Sequence, residues 1–416
     1  MKILRHALSA AVALLVLGGL PRASTAQVVS AAQAGLSAER LVRINQFVDR
    51  AMVAGEISGA VTLVARDGRI VHLQAQGMSD LASRAPMQKD SIFRIASMSK
   101  PITATAVLML VEEGKIRLED PISQFIPAYR DVKVAVPRSL PPGSQPGTSP
   151  YYTVPVDRPL TVLDVLTHTG GLVSGPISTA AARDIMEKRP ELGVRATEEL
   201  ASVPLEFQPG TRWAYSGLAG FDLLSRIVEI ASGQRYGDFL KARLFGPLGM
   251  RDTFFWPTDA QRARLVTNYT MTEKGIAPAA ETRMLSTPVL DSGAGGLMST
   301  AESYARFAMM LANGGELNGV RILSPASVAL LGARVIPETL PGRQPGEGYG
   351  LGVRTVTDPA ARHTLLTKGS YGWSGAYGTH FWVDPEKKLI AILMVQTPGM
   401  QRTADFETAV MQALMK

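Results

Sequence analysis

The sequence contains no cysteine in its 416 residues. That excludes a disulfide framework, a thiolate zinc site, an iron–sulfur cluster, a cysteine nucleophile and lipid attachment through an N-terminal cysteine. The five histidines include no H-E-x-x-H and no other metal-ligand spacing. His72 falls in a hairpin, His363 in a loop and His380 in an apolar strand, and His168 reads as a structural loop residue. No G-x-S-x-G occurs, which argues against the nucleophile elbow of α/β-hydrolases, and no phosphate-binding glycine loop stands between a strand and a helix. No metal, nucleotide or other cofactor is therefore expected.

Excess charge is also scarce. Forty-three Lys plus Arg against 36 Asp plus Glu leave a formal +7. Lys2, Arg5 and Arg22 supply three of those charges in the first 26 residues, which carry no acidic residue, so the rest of the chain is at +4. That is weak support for a nucleic-acid or other polyanionic partner. The same 26 residues read as a signal peptide: a positive start, an apolar run from Ala7 to Leu20, and Ser24-Thr25-Ala26 as a cleavage site. No later run reaches 18 apolar residues, so no stable membrane anchor is expected, and the location implied is periplasmic or secreted. With 46% hydrophobic and 19% charged residues, the remainder can build a large core.

Local pattern predicts the order of elements. Ser37 can cap a helix carrying Leu41, Ile44, Phe47, Val48 and Met52. Ala60–Ala65 and Ile70–Leu73 read as a hairpin turning at Asp67-Gly68. At the other end, a strand over Tyr377–Asp384, a turn at Pro385-Glu386-Lys387, a strand over Leu389–Val395 and a helix over Ala404–Met415 are expected. Between the ends, helices are predicted over Leu160–Leu166, Leu218–Ala231, Tyr236–Leu244 and Thr300–Leu311, the last with a Ser299/Glu302 capping box. Val136–Pro159, with seven prolines, reads as a long loop in which Tyr151 and Tyr152 either line a pocket mouth or lie on the surface. The expected architecture is α+β: residues 27–96 with 296–416 form an α/β sandwich with an antiparallel sheet, and residues 97–295 form a mostly helical inserted domain.

Three short motifs carry chemistry. Ser97-Met98-Ser99-Lys100 is an S-x-x-K opening an apolar helix that Gly114 ends. Residues three apart share a helix face, so Lys100 can reach the Ser97 hydroxyl, which needs a base to become nucleophilic. One such match is about what chance supplies in a chain of this composition. Tyr215-Ser216-Gly217 places a tyrosine on a loop before a helix, able to relay protons beside a Ser–Lys pair. Trp373-Ser374-Gly375-Ala376 lies in a glycine-dense strand that a ligand or another backbone can approach closely.

In this order the motifs resemble the serine β-lactamase and penicillin-binding-protein superfamily, class C-like, and within it the family VIII carboxylesterases. Leu166-Thr167-His168-Thr169-Gly170-Gly171-Leu172, Pro209–Ser216, Pro247-Leu248-Gly249-Met250 and Gly293–Thr300 add to the likeness. The resemblance implies a β-lactamase-like fold with the active site between the two domains. It implies Ser97 as the acylated nucleophile, Lys100 and Tyr215 as its activating pair, and the backbone N–H groups of Ser97 and Ala376 as the oxyanion hole. Trp373, Ser374, Gly375 and Gly217 would contact substrate. Two departures bear on the substrate: the family's lactamases have asparagine where Gly217 stands and lysine where Trp373 stands. Losing a charged hydrogen-bond partner costs about 1.5–3 kcal/mol, or roughly 10–100-fold in affinity. The expected activity is hydrolysis of small carboxylic esters. β-Lactams remain secondary candidate substrates, a lactamase or D-Ala-D-Ala-type peptidase the first alternative, and a non-hydrolytic penicillin-binding sensor the second.

Overall fold

The computed structural model describes residues 29–139, 150–188, 196–279, 291–399 and 401–415. The expected targeting segment, residues 1–26, lies outside them.

Ser37 opens helix α1 (Ala38–Val53) by accepting a hydrogen bond from the Arg40 N–H, and Leu41, Ile44, Phe47 and Val48 form its buried face. Strands β1 (Gly59–Arg66) and β2 (Arg69–Asp80) follow. Asp67 and Gly68 join them, both at positive φ (51° and 71°), the backbone that a tight two-residue hairpin requires. The remaining strands of this sheet are β3 (Ala85–Pro86), β4 (Glu347–Tyr349), β5 (Arg354–Val356), β6 (Tyr371–Ser374), β7 (His380–Asp384) and β8 (Leu389–Met394). Their order across the sheet is β4-β5-β6-β7-β8-β1-β2-β3, antiparallel throughout. The two ends of the chain meet at its centre, where Val61 of β1 faces Met394 of β8.

Four further helices frame the site: α2 (Ser99–Glu112), α3 (Ala219–Ser232), α4 (Ala301–Ala312) and α5 (Gln401–Met411). The sheet is covered on both faces, which is why β1 reads as one apolar run instead of alternating. Val61, Leu63 and Ala65 point to the core that holds Tyr304 and Phe307 of α4. Ala60 and Val64 point to a second core formed with Phe47 of α1 and with Phe406 and Val410 of α5. Helix α2 has no exposed face over most of its length: every residue from Ser99 to Leu110 is buried, so it runs through the core of the molecule. Among the described residues no helix is long and apolar enough to cross a membrane.

Several expectations need correction. Ser299 does not cap α4. It lies in a short strand, bonded to Thr253 Oγ1 at 2.8 Å, and Thr300 takes the cap by accepting from Ser303 N–H. The strand expected from Tyr377 starts only at His380, because Gly378 at φ 88° turns the chain. The helix expected over Tyr236–Leu244 is α-helical only to Leu240 and widens to a π-turn over Lys241–Phe245, just before Pro247, which has no N–H to donate. The proline-rich stretch is not all loop: Lys133–Pro137 pairs with Tyr151–Pro155 as a hairpin, and residues 140–149 lie outside the described residues. Tyr152 is exposed on that hairpin and Tyr151 is half-buried.

Candidate active site

The chain reaches the site through a strained turn. Ala96 has φ 44°, a left-handed backbone that a residue with a Cβ adopts at a cost, and it opens the single 3-10 turn Ala96–Met98 directly before α2. Ser97 sits in the middle of this turn. Met98 and Ser99 are tied down behind it: Tyr304 donates to the Met98 carbonyl at 2.9 Å and Ser99 to the Ala96 carbonyl at 2.8 Å.

Lys100, one turn on, is fully buried. Its Nζ lies 3.0 Å from Ser97 Oγ and donates to two carbonyls, Gly217 at 2.7 Å and Ala294 at 2.8 Å. The Tyr215 and Phe221 rings are also close, at 5.0 and 5.7 Å. Burial pushes the Lys100 ammonium down from its ordinary value, while Tyr215 and Asp222 pull it back up. The two carbonyls account for two of the amine's directions, and the third faces Ser97. In the neutral amine that direction holds the lone pair, which can take the serine proton. Tyr215 approaches from the other side, its hydroxyl donating to Ser97 Oγ at 2.8 Å. The structure thus brings Ser97, Lys100 and Tyr215 together from three points of the sequence. An activated serine with two proton-carrying neighbours can carry out acyl transfer.

Asp222 is a contributor that sequence reasoning passed over. It is half-buried in the first turn of α3, accepts from Ser292 Oγ at 2.6 Å and Ala294 N–H at 3.1 Å, and so holds the residue whose carbonyl Lys100 donates to. Burial raises its carboxyl above the usual range. Its trace in the sequence is an acidic residue in the first turn of a helix, among Phe221, Leu223 and Leu224.

The third motif forms one wall. Trp373 packs its ring 5.5 Å from Tyr215 and 5.4 Å from Tyr349, and Tyr349 lies 4.6 Å from Trp213. Gly217, whose carbonyl holds Lys100, has open space where a side chain would stand. Ser374 does not stand alone. Its Oγ is 2.8 Å from His380 Nδ1, and His380 Nε2 is 3.1 Å from Glu407 Oε1. Burial lowers the His380 pKa, so the ring is neutral. Burial opposes ionisation of Glu407, but the hydrogen bond to His380 and the charges of Arg362 and Arg354 hold its carboxyl below the usual range. A carboxylate must receive the Nε2–H, which leaves Nδ1 as acceptor for the Ser374 proton. His380, expected as a plain strand residue, is therefore the link that fixes which way the Ser374 hydroxyl points.

Ala376 is exposed on the turn beyond Ser374. Gly375 packs directly on the Ile95 carbonyl, two residues before Ser97, and Thr379 donates to the same carbonyl at 3.3 Å. The two segments expected to supply an oxyanion hole are thus adjacent. His168, expected as a loop residue, lies inside the site with its ring centroid 4.8 Å from that of Tyr215. No group of His, Asp or Glu able to hold a metal ion exists among the described residues.

The fold is shared with known proteins. The family model for beta-lactamase matches residues 44–414. Esterase EstB of Burkholderia gladioli is 31% identical, over 87% of this chain and 91% of its own length. The D-alanyl-D-alanine-carboxypeptidase/endopeptidase AmpH of Escherichia coli K12 is 26% identical, over 86% and 84%. Among solved structures, EstCE1, described as a hydrolase with promiscuous acyltransferase activity, superposes with a TM-score of 0.74 at 24% identity, covering 90% of this chain and 99% of its own.

The Gly375 packing yields a prediction. A methyl group there would overlap both Thr379 Oγ1 and the Ile95 carbonyl, so Gly375→Ala must push the third motif away from the Ser97 turn. Overpacking of this kind costs about 1–3 kcal/mol. We expect a lower melting temperature and a loss of hydrolytic activity, measured by thermal denaturation and ester turnover. Wild-type values of both would contradict the contact.

Proposed function

The chain belongs to the β-lactamase family and is a hydrolase of that fold, and within it we propose an exported carboxylesterase that works through an acyl-enzyme on Ser97. Ser97 Oγ attacks the ester carbonyl carbon and its proton passes to the Lys100–Tyr215 pair. The negative charge on the carbonyl oxygen rests on the Ser97 and Ala376 N–H groups. The carbon–oxygen bond to the alcohol breaks as Tyr215 returns a proton to the leaving oxygen. Water then attacks the acyl carbon, gives its proton to the same pair, and frees the acid and the serine hydroxyl. The convergence of Lys100 Nζ and Tyr215 OH on one serine oxygen, at 3.0 and 2.8 Å, supports this assignment.

The observation that carries the ester reading is the polarity of the third-motif wall. A carboxylate-bearing lactam needs hydrogen-bond donors or a cation there. Trp373 carries no charge and packs against Tyr215, its buried Nε1–H being the one donor it adds, Gly217 has no side chain, and the Ser374 proton is committed to His380. A neutral ester with an apolar acyl or alcohol group meets no such unmet demand. The relative AmpH keeps a D-Ala-D-Ala-type peptidase as the second reading, and the proposed acylating group keeps β-lactams as secondary substrates.

Export rests on the positive, then apolar, N-terminal segment. Expression with the native N-terminus is expected to yield a mature protein beginning at Gln27, read by N-terminal sequencing. A chain that retains Met1 or Lys2 in the cell would argue against it.

The nucleophile is tested by comparing wild type with Ser97→Ala on p-nitrophenyl butyrate and on nitrocefin. We expect loss of about 10³-fold or more in kcat on the ester, in line with removal of other serine nucleophiles. Equal ester turnover by both proteins would remove Ser97 from the mechanism, and nitrocefin turnover above ester turnover would move the assignment to a lactamase. Trp373→Lys restores a cation to the wall. It should lower kcat/KM on apolar esters and raise it on carboxylate-bearing lactams by roughly tenfold. An unchanged preference would show that Trp373 does not set selectivity.

A further inference from the structure

His168 makes contacts that a loop filler does not need. Its carbonyl accepts from the Ala214 N–H at 3.1 Å, and its ring Nδ1 accepts from the Ser216 N–H at 3.3 Å. These are the residues immediately before and after Tyr215. Its ring meets the Tyr215 ring edge-on, with centroids 4.8 Å apart. Backbone, side chain and ring face of one residue therefore grip the tyrosine from both sides and from below.

The residue carries two costs for this position. Its φ is 58°, in the left-handed region where a β-carbon is unfavourable. Its other ring nitrogen, Nε2, is buried with no hydrogen-bond partner among the described residues. With Nδ1 accepting, Nε2 must carry the proton, so a buried N–H goes unpaired. Burial and the nearby Lys100 charge hold the ring neutral, which is the form in which Nδ1 can accept.

The loop bearing His168 is itself fixed. The Thr169 carbonyl accepts from Gly210 N–H at 2.8 Å, the Gly171 carbonyl from Glu206 N–H at 2.8 Å, and the Leu166 carbonyl from Gly352 N–H at 3.0 Å. On its far side, Thr169 N–H donates to the Asp164 carbonyl at 2.8 Å, and the Asp164 carboxylate is held by Arg158 and by Thr161. The strained backbone at His168 is thus held by its neighbours, and the residue's own carbonyl and ring Nδ1 accept from Ala214 and Ser216.

We propose that His168 is the positioning residue of this active site, acting as a neutral acceptor clamp that holds the Tyr215 hydroxyl on Ser97 Oγ. The proposal rests on the assignment of Tyr215 to proton transfer made above. A tyrosine loop free to move by a fraction of an ångström would still bind an ester but would transfer protons poorly, so the clamp acts on kcat and not on KM.

The test compares His168→Asn, His168→Gln, His168→Ala and Tyr215→Phe on p-nitrophenyl butyrate, with thermal denaturation of each. Asparagine places its carbonyl oxygen near the position of Nδ1 and tolerates the left-handed backbone, whereas glutamine reaches towards Nε2. We expect His168→Ala and His168→Gln to lose about tenfold or more in kcat with KM within about twofold, and His168→Asn to recover most of the loss. In a Tyr215→Phe background the alanine substitution should cost nothing further. If His168→Ala does not fold, the Asn/Gln pair still decides the question. Asparagine no better than glutamine, or full kcat in His168→Ala beside an inactive Tyr215→Phe, overturns the clamp alone. Full activity of Tyr215→Phe overturns the tyrosine assignment and the clamp with it.

Discussion

The buried Lys100 amine is the constraint on which the rest of the structure depends. A lysine fully removed from water is costly unless oxygen atoms replace its hydration. Here they come from three separate segments: Ser97 one turn before it, Gly217 beside the tyrosine loop, and Ala294 ahead of α4. Meeting that demand draws the segments together, and with them the three groups proposed to carry out acyl transfer. Asp222 sits one shell further out and stabilises the arrangement through Ser292 and Ala294.

A consistent logic of neutral, committed polar groups runs through the site. Around it stand the apolar ring of Trp373, the carbonyl of Gly217, a neutral His168 and a Ser374 whose proton is held by His380. Two of these depend on histidines kept neutral by burial. None of these four groups presents a charge to a carboxylate. The family's acylating constellation and the proposed change of substrate are compatible because they occupy different residues. Ser97, Lys100 and Tyr215 form the proposed reacting centre, and the proposed selectivity belongs to the surrounding wall.

Much of the architecture was legible because it depends on local pattern. The Ser37 cap, the Asp67-Gly68 turn and the apolar runs of β1 and β8 show directly in residue order, and the pairing of β1 with β2 and of β7 with β8 follows from short connections. Where the expectations failed, a contact from elsewhere decided. Ser299 was drawn away from a cap by Thr253, and the proline-rich stretch paired as a hairpin across residues that a one-dimensional reading treats as loop.

What the sequence determined by itself is the set of groups: a serine and a lysine three apart, a tyrosine ahead of a helix, a tryptophan opening the third motif, and no cysteine. Residue type and helical spacing suffice for that. What only the tertiary structure decided is the protonation and direction of those groups. Nothing near Ser374 in the sequence announces Glu407, and nothing near Tyr215 announces His168. Burial sets which form of a histidine or lysine exists, and burial is a property of the packed whole.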